Sequence, residues 1–317
     1  MRIASIDIGT NTFRLLVSEA ESGNSLKKLY ISREITRLGE GLTTEKMLIN
    51  PNAIDRSLKT LSGFSLKLKE YDVRKLRAVA TSAVRESLNG RDFVKKVETE
   101  TGIPVEVISG DEEARLTVEG VLNSVSFDTP ECLIFDIGGG STEYVYVKEG
   151  EITNIASTGL GVVRLTEKYL GSETDTEPDI ALLSRHIHET LGDCLSSFPA
   201  AAGDKITLIG TAGTPTTLAA MELRLAKYDP ALVNNFILTS GMIGRTLQAV
   251  LSVPRSERTK IPGLEKGRED LIVSGITVVQ KTMERFSSDR MVVSDAGLLE
   301  GIAYNMIGRE GGKEARG

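Results

Sequence analysis

The sequence predicts an α/β protein made of two related halves, each with a mixed or parallel β-sheet. The segments IASIDIGTNTFRLLV (3–17) and CLIFDIGGGSTEYVY (132–146) align without gaps, 129 residues apart. Between and after them, apolar runs typical of strands alternate with segments of helical periodicity. Two copies of one hairpin, each leading its own half, predict a duplicated two-domain protein with a cleft between the halves.

The first half alternates between helices and strands after its hairpin. Ile54, Leu58 and Leu61 recur at helical spacing behind Pro51, a residue well suited to the first turn of a helix. The predicted elements, in order, are a helix at 52–70, a strand at 76–81, a helix at 91–101, a strand at 105–109 and a helix at 111–123.

The second half repeats this alternation. We place the domain boundary in the segment 124–130, which gives domains at 1–126 and 127–317, with the option that the last helix packs back on the first domain. The predicted elements are strands near 143–148 and 151–157, helices near 161–170 and 178–197, a strand at 205–210 followed by a helix, a loop at 253–268, a helix at 269–286, a strand at 290–295 and a helix at 296–307.

The composition is that of an ordinary globular protein. The 317 residues are 40% hydrophobic and 26% charged, which sets aside disordered and fibrous classes. No apolar run approaches the roughly 20 residues that cross a bilayer, and a net charge of −6 argues against DNA binding. Two cysteines, Cys132 and Cys194, and no secretory signal predict a cytoplasmic protein without disulfides.

Each hairpin carries an Asp-Ile-Gly turn followed by small hydrogen-bonding residues. Glycine lets backbone N–H groups approach an anion closely, and hydroxyl groups add donors. Asp7 and Asp136 would lie too close to phosphate to contact it directly, so we expect them to act through Mg²⁺ and its waters. Either loop alone could be a glycine-rich turn, but the repetition favours a pair of phosphate loops.

A third glycine segment, residues 210–214, joins a predicted strand to the N-terminus of a helix, where N–H groups and the helix dipole attract anions. It lacks the lysine of a Walker motif, and no GxGxxG is present, so neither a P-loop nor a dinucleotide site is indicated. The two histidines, His186 and His188, would face apart on a helix, which argues against a histidine metal site.

Basic residues are concentrated in the segment 56–96, which holds 11 Lys and Arg against 4 Asp and Glu. A solvated helix surface explains most clusters of this kind. A path for a polyanion across the first domain is the alternative interpretation.

Five segments resemble motifs of the Ppx/GppA phosphatase family, in the family's order and over nearly the whole chain. They are DIGTNTFRLLV, ISGDEEARLTVEGV, FDIGGGSTEYV, IGTAGTPTTLAAM and SDAGLLEGIAYNM. The resemblance implies two ribonuclease-H-like domains of the actin/hexokinase/acetate-kinase superfamily and a catalytic cleft between them. It also implies Mg²⁺-dependent release of terminal phosphate from polyphosphate or guanosine pentaphosphate. The chain resembles the family's short two-domain form, without the helical C-terminal region that is similar to HD phosphohydrolases.

The resemblance assigns the catalytic glutamate to Glu113. The sequence itself favours Glu113 over Glu112, because Ser109 and Glu112 fit a capping box, while the helix dipole favours an ionised Glu113 in the first turn. Glu143 would lie beside the second loop and orient the attacking water or a metal-bound water.

The remaining candidate residues come from the three glycine segments and from arginines at family positions. Asp7 and Asp136 are the candidate metal ligands, for Mg²⁺, with a monovalent cation as a further candidate cofactor. The candidate phosphate-binding residues are Gly9, Thr10, Asn11, Thr12, Arg14, Arg85, Gly138, Gly139, Gly140, Ser141, Thr142, Gly210, Thr211, Gly213, Thr214 and Arg268.

The leading functional expectation is hydrolysis of a phosphoanhydride by water that Glu113 activates. One alternative is a non-catalytic nucleotide or alarmone sensor, which could tolerate the loss of Glu113. Another is a small-molecule kinase of the same fold, which would need an adenosine pocket and an acceptor site. The sequence does not rank polyphosphate against guanosine penta- or tetraphosphate as the partner, and we expect a homodimer.

Overall fold

The computed structural model describes residues 1–21, 25–42, 47–126, 129–171, 173–199 and 206–314, with side chains up to residue 308. The chain divides into two compact units. Unit 1 consists of Met1–Gly120 and Gly297–Gly317, and unit 2 consists of Val121–Ala296. The boundary expected at 126/127 lies a few residues from this division, and the last helix belongs to unit 1.

The helices and strands follow the alternation of an α/β protein. None of the described helices combines the length and the hydrophobicity that crossing a bilayer requires. A 3-10 helix at Arg255–Lys260 lies between α9 and α10 of the following series. In chain order the elements are β1 (Arg2–Ile8), β2 (Thr12–Ala20), β3 (Leu26–Ile35), α1 (Pro51–Glu70), β4 (Lys75–Ala80), α2 (Ser82–Glu86), α3 (Gly90–Thr101), β5 (Val105–Val107), α4 (Gly110–Leu122), β6 (Glu131–Ile137), β7 (Thr142–Lys148), β8 (Glu151–Thr158), α5 (Val162–Tyr169), α6 (Glu177–Cys194), β9 (Ile206–Ala212), α7 (Gly213–Glu222), α8 (Pro230–Val233), β10 (Ile237–Thr239), α9 (Ser240–Leu251), α10 (Ile272–Arg285), β11 (Arg290–Val293) and α11 (Leu298–Glu314).

Unit 1 is built on a five-stranded sheet in the order β3-β2-β1-β4-β5. Strands β1, β4 and β5 are parallel, whereas β2 pairs antiparallel with β1 and β3. Because side chains alternate along a strand, Ala4, Ile6 and Ile8 pack with α1 and α3, while Ile3 packs with α4 and α11 on the other face. By the same alternation, Asp7 at the end of β1 lies on the α4 and α11 side.

Unit 2 is built on a six-stranded sheet in the order β10-β11-β9-β6-β7-β8. Strands β6, β9 and β11 are parallel, β7 is antiparallel to β6 and β8, and β10 is an antiparallel edge strand. Without β10, the order and directions repeat those of unit 1. The predicted duplication of a ribonuclease-H-like sheet is confirmed.

Sequence analysis missed the two edge strands β3 and β10 and the helices α2, α8 and α9. Strand β3 was not predicted, because its charged residues, which are typical of an edge strand, hide the alternation of apolar and polar side chains. The pairing of β2 with β3 also shifts register at Val17/Ser18. Strand β10 has only three residues, too few for a pattern. The helix predicted at 296–307 runs instead over Leu298–Glu314. Lys205, predicted to open a strand, lies outside the described residues.

Helices α4 and α11 cross with their backbones in contact, because glycines occupy the crossing. A Cβ built on Gly301 would lie 1.7 Å from the carbonyl oxygen of Leu116, and one on Gly120 would lie 2.1 Å from that of Gly297. The close approach brings the apolar side chains of α11, including Ile302, into the core cluster beside β1.

A buried ion pair braces the loops of unit 2. Arg258 is 1% exposed, and its Nη2 donates to Asp175 Oδ2 at 2.6 Å. Its Nε and Nη1 donate to the carbonyl oxygens of Val250 and Glu269, each at 3.2 Å. Arg255 Nη2 donates to the other oxygen of Asp175 at 3.1 Å. The pair therefore ties the end of α9, the loop before α10 and the loop before α6 together.

We expect Gly301→Ala to destabilise the protein by about 2 kcal/mol or more, because the new methyl group would overlap backbone atoms. Gly63 also lies inside a helix, yet a Cβ built on it meets nothing within 4 Å. Gly63→Ala should therefore stabilise the fold by about 0.5–1 kcal/mol. Urea unfolding of the two variants measures the contrast, and equal effects would show that the α4–α11 crossing is looser than described.

Asp175→Asn should lower the free energy of unfolding by about 3–5 kcal/mol, because it leaves the buried Arg258 without its counter-charge. The control is Asp72→Asn, in an ion pair with Arg74 whose side chains are 66% and 69% exposed. That change should cost less than about 1 kcal/mol, since asparagine also tolerates the positive φ of residue 72. Similar losses for both variants, measured in denaturant, would contradict the bracing role.

Candidate active site

The two Asp-Ile-Gly hairpins close with the same turn. The N–H of Gly9 donates to the carbonyl oxygen of Thr12 at 3.2 Å, and the N–H of Gly138 donates to that of Ser141 at 2.9 Å. A Cβ built on Gly9 would lie 2.8 Å from the carbonyl oxygen of Thr12, and one built on Gly138 would lie 3.0 Å from that of Ser141. A side chain would therefore crowd the turn at both positions, which accounts for the repeated glycine.

The residues opposite the two aspartates differ in charge. Strand register places Arg14 opposite Asp7 in unit 1, and Glu143 opposite Asp136 in unit 2. Arg14 Nε and Nη2 donate to one oxygen of Asp7, at 3.0 Å and 2.9 Å. Burial raises the pKa of Asp7, although the charge and hydrogen bonds of Arg14 act to lower that pKa. The predicted phosphate ligand Arg14 is therefore engaged with the predicted metal ligand Asp7.

The segment 36–39 supports the first loop, residues 9–12 of the first hairpin, by hydrogen bonds to the loop's carbonyl oxygens. The N–H groups of Thr36 and Arg37 donate to the carbonyl oxygen of Asn11 at 3.0 Å and 2.9 Å, and the N–H of Gly39 donates to that of Thr10 at 2.8 Å. The side chains of Thr10 and Asn11 are buried.

The second loop is supported in a similar way by the start of α5. The N–H groups of Val162 and Val163 donate to the carbonyl oxygens of Gly138 and Gly139, at 3.1 Å and 2.9 Å. A Cβ built on Gly161 would lie 2.1 Å from the carbonyl carbon of Gly140. The glycines therefore allow the helix to approach the loop backbone directly.

Two carboxylates lie side by side next to the second loop. Glu143 is 2% exposed, its Oε1 accepts a hydrogen bond from Ser157 Oγ at 2.8 Å, and Asp136 is its cross-strand neighbour. Like charges directly opposite on a sheet repel each other, so a cation beside them would be stabilising. Oxygen ligands of this kind suit Mg²⁺, which is held by one or two carboxylates plus waters and phosphates. Among the described residues no group of three or more His, Cys, Asp or Glu side chains could hold a metal ion.

Glu112 and Glu113 point to different partners, as the sequence predicted for the helix start. The N–H of Glu112 donates to Ser109 Oγ at 3.2 Å, which is one half of the predicted capping box. The other half of a capping box is a hydrogen bond from the Ser109 N–H to the Glu112 carboxylate. Here the carboxylate accepts instead from Arg77 Nη2, at 2.6 Å. Glu113 is buried, 8% exposed, and its Oε2 accepts from Arg85 Nη1 at 3.0 Å. The adjacent glutamates thus belong to separate ion pairs.

Arg85 is held in turn by the backbone. The same Nη1 donates to the carbonyl oxygen of Ile108 at 3.0 Å, just ahead of α4. In the structure Arg85 is therefore the direct partner of Glu113, a contact that no sequence pattern indicated because the two residues are 28 positions apart.

The N-terminus of α7 carries the third glycine segment. Ala212, just before it, has φ of 67° and ψ of −158°, a region that residues other than glycine rarely adopt. A Cβ built on Gly213 would lie 2.1–2.4 Å from Nη1, Nη2 and Cζ of Arg268. The guanidinium group therefore lies directly against the first residue of the helix. Arg268 is 8% exposed, and its Nε donates to Glu265 Oε2 at 3.0 Å.

Some candidate phosphate ligands have structural roles. Thr142 Oγ1 donates to the carbonyl oxygen of Leu160 at 2.7 Å, and Thr211 Oγ1 donates to that of Ala296 at 2.8 Å. Thr214 is buried, and Gly210 lies where a Cβ would be 2.3 Å from Met291 Cε. These residues shape the segments around them.

Many basic residues of the segment 56–96 have local carboxylate partners. The ion pairs join Arg56 to Glu40, Lys67 to Glu70, Arg74 to Asp72, Arg77 to Glu106 and Glu112, Arg85 to Glu113, and Lys96 to Asp55 and Glu100. The charge left for a polyanion path is therefore smaller than the sequence count indicated. Lys59, Lys69, Arg91 and Lys95 are exposed on α1 and α3.

Solved structures match nearly the whole chain. The Aquifex aeolicus member of the Ppx/GppA protein family is 32% identical, with a TM-score of 0.81 over 98% of each chain. An exopolyphosphatase from Cytophaga hutchinsonii is 30% identical, with a TM-score of 0.87 over 96% of this chain and 97% of that chain.

Curated proteins give a consistent result. Exopolyphosphatase 2 of Mycobacterium tuberculosis is 32% identical and is matched over 97% of this chain and 99% of its own length. The bifunctional 3-dehydroquinate synthase/phosphatase of Fusobacterium nucleatum is 34% identical over 94% of this chain, which spans only 46% of that protein. The model of the Ppx/GppA phosphatase family matches residues 16–310. The chain belongs to the Ppx/GppA phosphatase family.

Proposed function

We propose that this protein releases terminal phosphate from inorganic polyphosphate, from guanosine pentaphosphate, or from both. The observation that supports this most directly is the position of Arg268 against Gly213. Within the described part of the chain, Nη1 and Nη2 of this nearly buried arginine make no hydrogen bond. A cation at a helix N-terminus opposes the helix dipole, so a phosphate group that satisfies both the guanidinium and the helix N–H groups would be stabilising.

Glu113 is the proposed general base. Water would lose a proton to a Glu113 carboxylate oxygen as its oxygen bonds to the terminal phosphorus, and the bond to the leaving phosphate oxygen would break. Burial and the ion pair with Arg85 fix the carboxylate in one orientation. A bound Mg²⁺, held through Asp136, would neutralise charge on the phosphate oxygens.

Arg85 is proposed to serve both Glu113 and the substrate. An arginine that pairs with the base in the free protein is also suited to a phosphate oxygen, since its guanidinium group offers several donors in one plane. Glu143, fixed by Ser157, is proposed to orient the attacking water or a metal-bound water. A homodimer and a cytoplasmic location remain predictions.

Glu113→Gln should lower kcat by about 10²–10⁴-fold, the usual contribution of a positioned base, while the Kd for substrate changes little. Glutamine keeps the size and polarity of the side chain but cannot take up the proton. Phosphate release from polyphosphate and from guanosine pentaphosphate, measured side by side, also ranks the two substrates. Full activity of Glu113→Gln would point to another base, with Glu143 the next candidate, whereas no phosphate release by the unmutated protein would favour a sensor.

Glu112→Gln is the matched control for Glu113→Gln. It removes an ion pair with Arg77 in which the Glu112 side chain is 37% exposed, so it should cost on the order of 1 kcal/mol of stability and leave kcat nearly unchanged. Loss of turnover in Glu112→Gln alone would reverse the assignment of the base.

Asp136→Asn should reduce Mg²⁺-dependent turnover on the order of a hundredfold or more and raise the Mg²⁺ concentration needed for half-maximal rate. The fold should persist, because removing one of two opposed carboxylates relieves repulsion with Glu143. Asp193→Asn, on the exposed end of α6, is the control. A Mg²⁺ titration that is the same for all three proteins would show that Asp136 holds no metal.

A further inference from the structure

Arg37 has a backbone conformation that arginine rarely adopts. Its φ is 49°, in the left-handed region that costs a residue with a Cβ roughly 1–2 kcal/mol and that glycine and asparagine adopt readily. Such strain persists only where the surroundings fix it, and it is found preferentially at functional sites. The residue lies in the segment 36–39 that supports the first loop.

Contacts on both sides hold Arg37 in this conformation. Its N–H and that of Thr36 both donate to the carbonyl oxygen of Asn11 in the first loop, at 2.9 Å and 3.0 Å. Behind it, Arg56 Nε donates to the carbonyl oxygen of Thr36 at 3.0 Å and Arg56 Nη2 to that of Arg37 at 3.4 Å. Arg56 Nη2 also pairs with Glu40 Oε2 at 2.7 Å. The segment is therefore fixed between the loop and α1.

Any positive side-chain charge at the first loop comes from neighbouring residues. Its own side chains, Thr10 and Asn11, are uncharged and buried. Arg14, the basic residue that follows the loop, donates twice to Asp7. Arg37 is half-buried and is joined to the loop by a main-chain hydrogen bond, so its side chain starts next to the loop.

We propose that Arg37 is a further phosphate-binding residue, which contributes its guanidinium group to a phosphoanhydride chain at the first loop. This rests on the proposed function. The strained backbone is then explained, because glycine or asparagine would fit the conformation more easily but could not bind an anion by charge. Arginine is suited to the role since it forms charge-assisted, paired hydrogen bonds to phosphate oxygens.

The test separates strain from binding with two matched arginines. Arg224 is exposed at the far end of α7, has φ of 51°, and is not among the candidate site residues. Both Arg37→Asn and Arg224→Asn should keep Tm or raise it by about 1–3 °C, because asparagine relieves the backbone strain. The Kd for tripolyphosphate, measured by calorimetry with Glu113→Gln as the background to prevent turnover, should rise about tenfold or more for Arg37→Asn only.

Arg37→Lys is the second variant, which keeps a positive charge. It should retain part of the affinity lost in Arg37→Asn. Equal Kd values for Arg37→Asn and its parent would overturn the proposal, as would an equal loss of affinity and of Tm in Arg37→Asn and Arg37→Lys. Absence of tripolyphosphate binding by the parent would overturn it as well. If the unmutated protein released no phosphate while Arg37→Asn still weakened tripolyphosphate binding, the proposed hydrolysis would be refuted and the role of Arg37 in binding would stand.

Discussion

The tight turn of each Asp-Ile-Gly hairpin is the constraint on which the candidate site depends. In both units the glycine N–H donates to the carbonyl oxygen three residues later, and a Cβ on that glycine would press against this oxygen. The turn sets the strand register, and the register sets which side chain stands opposite the aspartate. Neighbouring segments then donate hydrogen bonds to other carbonyl oxygens of the loops. The loops are therefore shaped before a ligand binds, and such preorganisation favours the binding of a charged transition state.

The hairpins of the two units share a backbone conformation but differ in the charge of the residue opposite the aspartate. The residue opposite the aspartate is Arg14 in unit 1 and Glu143 in unit 2. The first hairpin therefore pairs its carboxylate with an arginine, whereas the second places two carboxylates opposite each other. A single exchange of charge at one strand position thus distinguishes the two copies of the hairpin.

The fold and the hairpins could be predicted because their signals are local. Alternation and glycine turns are readable within 15 residues, and the repeat is a match between two such segments. The helix start that separates Glu112 from Glu113 is readable within a single turn. The partners of those glutamates were not predictable, since Arg77 and Arg85 come from other elements. Arg37 and the Asp175–Arg258 pair were missed for the same reason. Backbone strain and contacts between distant segments leave no periodic trace in a sequence.

The two-part composition of unit 1 has a consequence for synthesis on the ribosome. Unit 2 is one continuous stretch, Val121–Ala296, whereas unit 1 needs Gly297–Gly317 in addition to its first 120 residues. Until α11 is translated, the face of β1 that carries Ile3 lacks the apolar cover of Leu299 and Ile302. The part of the chain made first therefore completes its core last. Nascent unit 1 is thus the stage at which exposed apolar surface invites chaperone binding or aggregation.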